Sequence, residues 1–251
     1  MAARSFLGAG DVLIEAIVNG VGQGLEGPFK ANKLALKPNV DKKQSTSKGR
    51  DDYGQVLESV NLPLPADLTL ELKEVVGSVL AMALMGTATA LTASAGTLAD
   101  HPVVIKKGKW VSIGQLNLDA TITVENDAGT TTYDENDDYK LNRRLGLLMV
   151  LPGSAIADGA TLKVSGAYDG ASGTRISGAT QSEVRCRIVF DGVNMADGTD
   201  VTAEVWEAVL SAESEFDFLP DDFGNVTLTG TAKTPTGKTE PFVVDMKTPA
   251  A

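Results

Sequence analysis

The chain has 251 residues, 43% of them hydrophobic and 22% charged, enough apolar side chains for a sizeable core in one large domain or two small ones. Its 33 acids against 22 bases give a formal net charge of −11, which excludes a general attraction for nucleic acid or anionic lipid. One cysteine, Cys186, excludes an intrachain disulfide and fits a reducing compartment, while 26 glycines with 5% aromatics point to turn-rich β structure.

The first eleven residues reach Asp11 too soon to hold a signal-peptide apolar region, so no secretion signal is expected. Val12, Ile14, Ala16 and Val18 alternate as one face of a first strand, which the glycines from Gly20 to Gly27 close. A second extended stretch around Lys33 to Lys37 ends at Pro38. Leu68, Leu70 and Leu72 alternate as a strand; the spacing of Val75, Val76, Val79, Leu80, Ala83 and Leu84 then predicts one helix over about 74–85. It stops at Gly86, read as the C′ residue. Val75 to Ala99 carries no charge, but it is rich in Ala, Thr, Ser and Gly, and reads as a buried helix plus a loop rather than a membrane span.

Val103 to Ile113 reads as a hairpin turning at Lys107-Gly108, followed by strands at Asp119–Glu125, Gly129–Tyr133 and Leu145–Leu151. Asp158-Gly159 and Asp197-Gly198 are strong turn signals, each followed by alternating apolar residues. Asn225–Ala232 and Glu240–Met246 read as a last hairpin joined by a Pro/Gly loop.

Charge is unevenly placed. Lys30 to Arg50 carries seven bases against Asp41 alone, whereas Asp119–Asp138 holds seven acids and Asp191–Asp222 ten, neither with a base. Such blocks suit solvated faces or head-to-tail self-association.

No constellation asks for an enzyme, cofactor or metal. Gly22 to Gly27 matches G-x-G-x-x-G, but Pro28 to Pro38 leaves no room for the helix a dinucleotide site needs. Gly237-Lys238-Thr239 lacks the upstream glycine of a phosphate loop, which would fall at Ala232. His101, the single histidine, excludes a two-histidine zinc site and reads as an exposed loop residue. Cys186 shares one strand face with Val184, Ile188 and Phe190, as a buried thiol would, with Arg185 and Arg187 on the other. Asp134 to Asp138 has alternating oxygen ligands but lacks the glycine and the final Glu of a calcium loop.

Three stretches in order carry a resemblance. They are Asp41 to Val60 (DKKQSTSKGRDDYGQVLESV), Leu68 to Gly86 with its Ala-Leu-x-Gly ending, and Asp138 to Tyr168, continued by Arg187–Leu210 and Phe218–Gly230. Together they resemble the major tail tube protein of long-tailed, non-contractile bacteriophages. The likeness covers roughly residues 10 to 246.

The resemblance implies a mainly β, sandwich or barrel-like domain over 1–251 with one flanking helix, a long inter-strand loop over 39–60, and flexible termini at 1–10 and 247–251. It implies subunits that close into rings, usually of six, and stack into a hollow tube in the virion, made and assembled in the host cytoplasm. Lys42, Lys43, Lys48, Arg50, Asp51, Asp52 and Tyr53 would form an arm to a neighbouring subunit or ring. Asp119, Glu125, Asp127 and Asp134 are candidates for an acidic lumen past which DNA slides without specific binding. The implied partners are other copies, the tape-measure protein, the tail terminator and the tail-tip proteins, with no membrane and no cofactor. Competing readings are a secreted or surface Ig-like β-sandwich binding module and the inner tube of a contractile injection system. An enzyme would rest on His101, Cys186 and scattered carboxylates alone.

Overall fold

The computed structural model describes residues 5–211 and 216–247. In chain order its elements are β1 (Gly8–Val18), β2 (Val21–Thr46), β3 (Val56–Leu72), α1 (Gly77–Ala83), β4 (Thr87–Ala93) and β5 (Gly96–Val104). They continue as β6 (Trp110–Ser112), β7 (Leu118–Asn126), β8 (Thr132–Tyr133), β9 (Tyr139–Asn142), β10 (Leu147–Val150) and β11 (Thr161–Tyr168). The last are β12 (Ala171–Ser177), β13 (Val184–Asn194), β14 (Thr199–Leu210), β15 (Val226–Lys233) and β16 (Phe242–Lys247). The fold is mainly β with one helix, as the alternation of apolar residues predicts.

The chain is organised as two compact units: residues up to Ala88 together with those from Ile176 onward, and Thr89–Arg175. Both junctions fall inside paired strands, β4 and β12, so no Pro- or Gly-rich linker marks them in the sequence that reads as one domain.

The first unit is a closed barrel. Its strands run β13-β1-β2-β3-β15-β14, and β14 pairs back onto β13. Closure removes the open edges of the barrel strands and leaves β16, paired among the described residues with β14 alone, as the outer strand. Period-two alternation fills the interior: Val12 and Ile14, Leu68, Leu70 and Leu72, Val184, Cys186 and Ile188, and Val226 and Leu228 are all buried. Helix α1 adds Val79, Met82 and Ala83 to the same core. Where β15 crosses β14 the backbones approach so closely that a Cβ on Gly230 would lie 2.3 Å from the Val209 carbonyl oxygen.

The helix is shorter than the expected 74–85, spanning Gly77–Ala83, and its C′ residue is one earlier than Gly86. Met85 is the left-handed C′ residue (φ 48°), and its N–H bonds the Met82 oxygen at 3.1 Å. The Gly86 N–H reaches back to the Ala81 oxygen at 2.8 Å, completing a Schellman motif. Gly86 is glycine for another reason: a Cβ there would lie 2.2 Å from the Ser177 oxygen.

In the second unit a four-stranded sheet (β5-β11-β7-β8) and a three-stranded sheet (β6-β10-β9) share one core. Val103, Val124, Leu162 and Val164 come from the first, and Tyr139, Leu148 and Val150 from the second.

Several local expectations are corrected. Residues 39–60 are not a loop: 39–46 and 56–64 pair as a hairpin, and only 47–55 turn. The Lys-, Ser- and Thr-rich β2 half lacks apolar alternation because its side chains stand in water. Thr87–Ala99 is mostly strand, with β4 joined through Ser94 and Ala95 to the start of β5, again with mostly exposed side chains. His101 lies within β5, half-buried and opposite Val164.

Val103–Ile113 does turn at Gly108 (φ 71°), but its two sides join different sheets, β5 pairing β11 and β6 pairing β10. Nor do β15 and β16 form a hairpin. Both lie along one edge of β14, Glu207 opposite Lys233 and then Val205 opposite Phe242, with 234–241 as an excursion between them. The flexible terminus expected over 1–10 is ordered from Gly8, since Gly8–Asp11 pair with Asn194–Asp191 and the Leu7 N–H donates to Asn194 Oδ1 at 2.9 Å. Residues 1–4 and 248–251 lie outside the described residues.

Candidate interaction surface

Beyond Ala66, which pairs with Ala232, β3 loses β15 as a neighbour, and from Asn39 and Leu64 outward β2 and β3 pair only with each other. The change comes at a bulge: Lys37 stands opposite Asp67 and Asn39 opposite Leu64, with Pro65 and Ala66 taking up the extra residue. The hairpin then runs for roughly 25 Å at about 3.4 Å per residue. Pro63 and Pro65 withhold N–H groups from the outer edge of β3, which hinders addition of a further strand there.

Cross-strand register groups the arm's side chains. Leu64, Leu62 and Val60 stand opposite Asn39, Asp41 and Lys43, so they share one face, and all three are about half exposed. Val40, Val56, Leu57 and Tyr53 are exposed as well. A row of large apolar residues on a two-stranded ribbon is costly in water, and exposed apolar patches are a common feature of interaction surfaces.

The tip is ordered. The Ser47 N–H donates to the Gln55 oxygen and the Gly54 N–H to the Ser47 oxygen, each at 2.8 Å, while Ser47 Oγ accepts from Gly49 N–H at 3.0 Å. The seven residues expected to form an arm therefore lie together on this hairpin: Lys42 and Lys43 on β2, Lys48, Arg50, Asp51, Asp52 and Tyr53 at its tip. Lys43 pairs with Asp41 at 2.8 Å, an exposed contact worth about 0–1 kcal/mol. Among the described residues Lys42, Lys48 and Arg50 form no ion pair.

The four candidate lumen acids all belong to the second unit and not to the barrel. Asp119 and Glu125 share the outer face of β7, opposite the buried Leu118, Ile122 and Val124; Asp127 and Asp134 are exposed in the turns that follow β7 and β8. Other acids of that block do structural work. Glu135 holds Arg143 in a two-pronged pair at 2.7 and 2.6 Å, and the same guanidinium donates to the Asp119 and Ala120 carbonyls. The hydrogen bonds to Glu135 keep the Arg143 pKa above its usual range. Asp138 accepts from Ser154 Oγ at 2.7 Å. Tyr139, buried beside these acids, has its hydroxyl pKa raised, first by burial and then by Glu135.

Arginines and acids that sequence reasoning did not join form an ionic band outside the barrel. Arg187 on β13 reaches Glu204 on β14 (Nε to Oε1, 2.6 Å) and Glu15 on β1 (Nη1 to Oε2, 3.3 Å). Beside it, Arg185 (2.7 Å) and Lys233 (3.3 Å) converge on Glu207. These bonds tie β1, β13, β14 and β15 together.

The remaining motifs are accounted for structurally. Gly22–Gly27 lies in β2, paired with β1. Gly237–Thr239 sits in the excursion beside β14. Cys186 is fully buried, and burial pushes its thiol up to about 12, far from a nucleophile's range. Among the described residues no group of His, Cys, Asp or Glu could hold a metal ion, and no helix is long and apolar enough to cross a membrane.

Residues 5–241 match a family described as "Protein of unknown function UCP028589". The chain belongs to that family. The matched span runs through both units and the whole arm and stops just before β16. No curated protein matches the chain.

Proposed function

We propose that this protein is a structural subunit that polymerises into stacked, hexameric rings forming the hollow tail tube of a long-tailed bacteriophage, as its sequence resemblance implies. The observation that carries the reading is the projecting β2–β3 arm, with Val60, Leu62 and Leu64 uncovered on one face. The barrel strands pair on both sides, so association falls to such an arm, to the free edge of β16 and to side-chain surfaces. An arm seated on a different surface of the next copy makes a heterologous contact, which closes a ring or propagates a stack.

In this reading Asp119, Glu125, Asp127 and Asp134 face the lumen and repel phosphates, so that duplex DNA passes without sticking. The tape-measure, terminator and tail-tip proteins are its partners, it catalyses nothing and needs no cofactor, and its place is the virion tail. Sedimentation across a concentration series, alone and with tail-tip and tape-measure proteins, tests it: fast-sedimenting polymers support the reading, and monomers under every condition contradict it.

A second reading has one observation in its favour. The inserted unit has two sheets and a core of its own, as a surface β-sandwich binding module would. Such a module stays monomeric at high concentration.

A further inference from the structure

Strand β16 can leave the barrel unit without opening its ring, because β13 and β15 already flank β14. Its hold is light. Register sets Phe242, Val244 and Met246 opposite Val205, Ala203 and Val201, all three buried, yet Val244 and Met246 themselves stay 51% and 47% exposed. Of the β16 residues on that face, Phe242 packs against the barrel core. Among the described residues no side-chain hydrogen bond or ion pair ties β16 to the rest of the unit, so the backbone ladder to β14 carries the attachment. A strand held along one edge with little burial opens at low free energy.

The connection to β16 is longer than its present position needs. Lys233 stands opposite Glu207 and Phe242 opposite Val205, so the ends of the 234–241 excursion sit only two residues apart along β14. Drawn straight, the same stretch spans about 27 Å at roughly 3.4 Å per residue. Pro235 and Pro241 favour that extended form. The contacts that fold it back are few: the Lys238 N–H donates to the Pro235 oxygen at 3.1 Å, Lys238 stands over Trp206, and the Trp206 N–H donates to the Pro241 oxygen at 3.2 Å.

We infer that β16 is exchanged between copies: 234–241 straightens, and Phe242–Lys247 of one copy takes the place of β16 on β14 of the next. The occupant of the β14 edge is fixed by the register already present, since a second copy brings the same six residues. The strand remakes its ladder and its Phe242 contact in the new copy, so exchange costs little beyond ordering the linker. Each copy gives one strand and receives one, a heterologous contact that closes a ring or propagates a stack. The inference rests on the assembly reading above and names a strand that joins the copies.

Thr202→Cys and Asp245→Cys test it in the full chain, because the two positions stand opposite each other on the outer face of β14 and β16. The native Cys186 is fully buried and stays silent, with wild-type protein as the control. The two single variants are mixed in equal amounts as monomers, allowed to assemble, and treated with a short, reducible bis-thiosulfonate cross-linker. The expected result is a cross-linked dimer at least ten-fold above the yield from either variant alone. Particles by sedimentation with no such product would overturn the exchange and leave the assembly reading standing; monomers with no product would overturn the exchange as well. As a second measure, the double variant cross-linked within one chain before assembly should form at least ten-fold fewer particles, with recovery once the link is reduced. The same variant carrying a monofunctional thiosulfonate adduct on each cysteine should assemble normally. Undiminished assembly with β16 locked to its own β14 would count equally against the inference.

Discussion

Lys238 stands over Trp206, its Nζ 3.3 Å from the ring centroid, at the residue where β14 changes partner from β16 to β15. The register explains why a ring is needed there. Ile188 stands opposite Val205 but Cys186 opposite Ala208, so Trp206 and Glu207 form a bulge, and the 234–241 excursion folds over it. A cation on an exposed aromatic face contributes about 0.5–1 kcal/mol, so Lys238→Ala should cost that much in urea denaturation. The Trp206 Nε1 is buried and has no hydrogen-bond partner among the described residues. Trp206→Phe should therefore stay within about 1 kcal/mol of wild type, whereas Trp206→Ala should lose about 3 kcal/mol.

Arg187 bridges three strands of the barrel wall through Glu15 and Glu204. Burial lowers its pKa, but the hydrogen bonds and charge of those two carboxylates leave it above the usual range. Arg187→Met keeps the side-chain volume and leaves two mostly buried carboxylates without their shared donor. The expected loss is about 2 kcal/mol at neutral pH, read by urea titration.

Cys186 sets part of the alkaline limit. Its thiol is raised from 9.0 to about 12 by burial, so the folded state holds the proton where the unfolded chain releases it. Stability from this group is complete below pH 9 and is lost as pH rises toward 12. Tyr139, also raised by burial, acts with the same sign. Cys186→Ala should be less stable than wild type by about 1–2 kcal/mol at pH 7, the cost of a small cavity, and should show a shallower fall between pH 9 and pH 12. A thiol reagent at pH 8 should label wild type only after urea is added.

The arm separates folding from assembly. Val60→Asp with Leu62→Asp changes exposed residues outside the barrel core, so thermal unfolding should shift by no more than about 0.5 kcal/mol. The same variant should fail to form large particles in sedimentation. A variant that assembles normally would show that this face is not an interface.

Much of the barrel was legible in the sequence, because buried strands announce themselves: Leu68, Leu70 and Leu72, and the Val184, Cys186 and Ile188 face, alternate with polar residues and lie in the core. The turns at Gly159 and Gly198 were legible too, both with the positive φ that Asp-Gly favours. Strands without a core were not. Lys42 to Thr46 is extended only because Val56–Asn61 pairs with it, and Thr87–Ala93 because β12 does. The arm's apolar face had a signal, since the spacing of Val60, Leu62 and Leu64 continues that of Ala66 and Leu68. The acids of 134–138 read as one block, yet Glu135 and Asp138 are spent on Arg143 and Ser154, which lie too far along the chain for spacing to connect.

Negative-stain electron microscopy of the purified full chain, alone and with tail-tip and tape-measure proteins, tests the central claim most directly. The account predicts rings or hollow tubes with a central pore, lost in the Val60→Asp, Leu62→Asp variant. Dispersed monomers in every condition would contradict it and favour the binding-module reading.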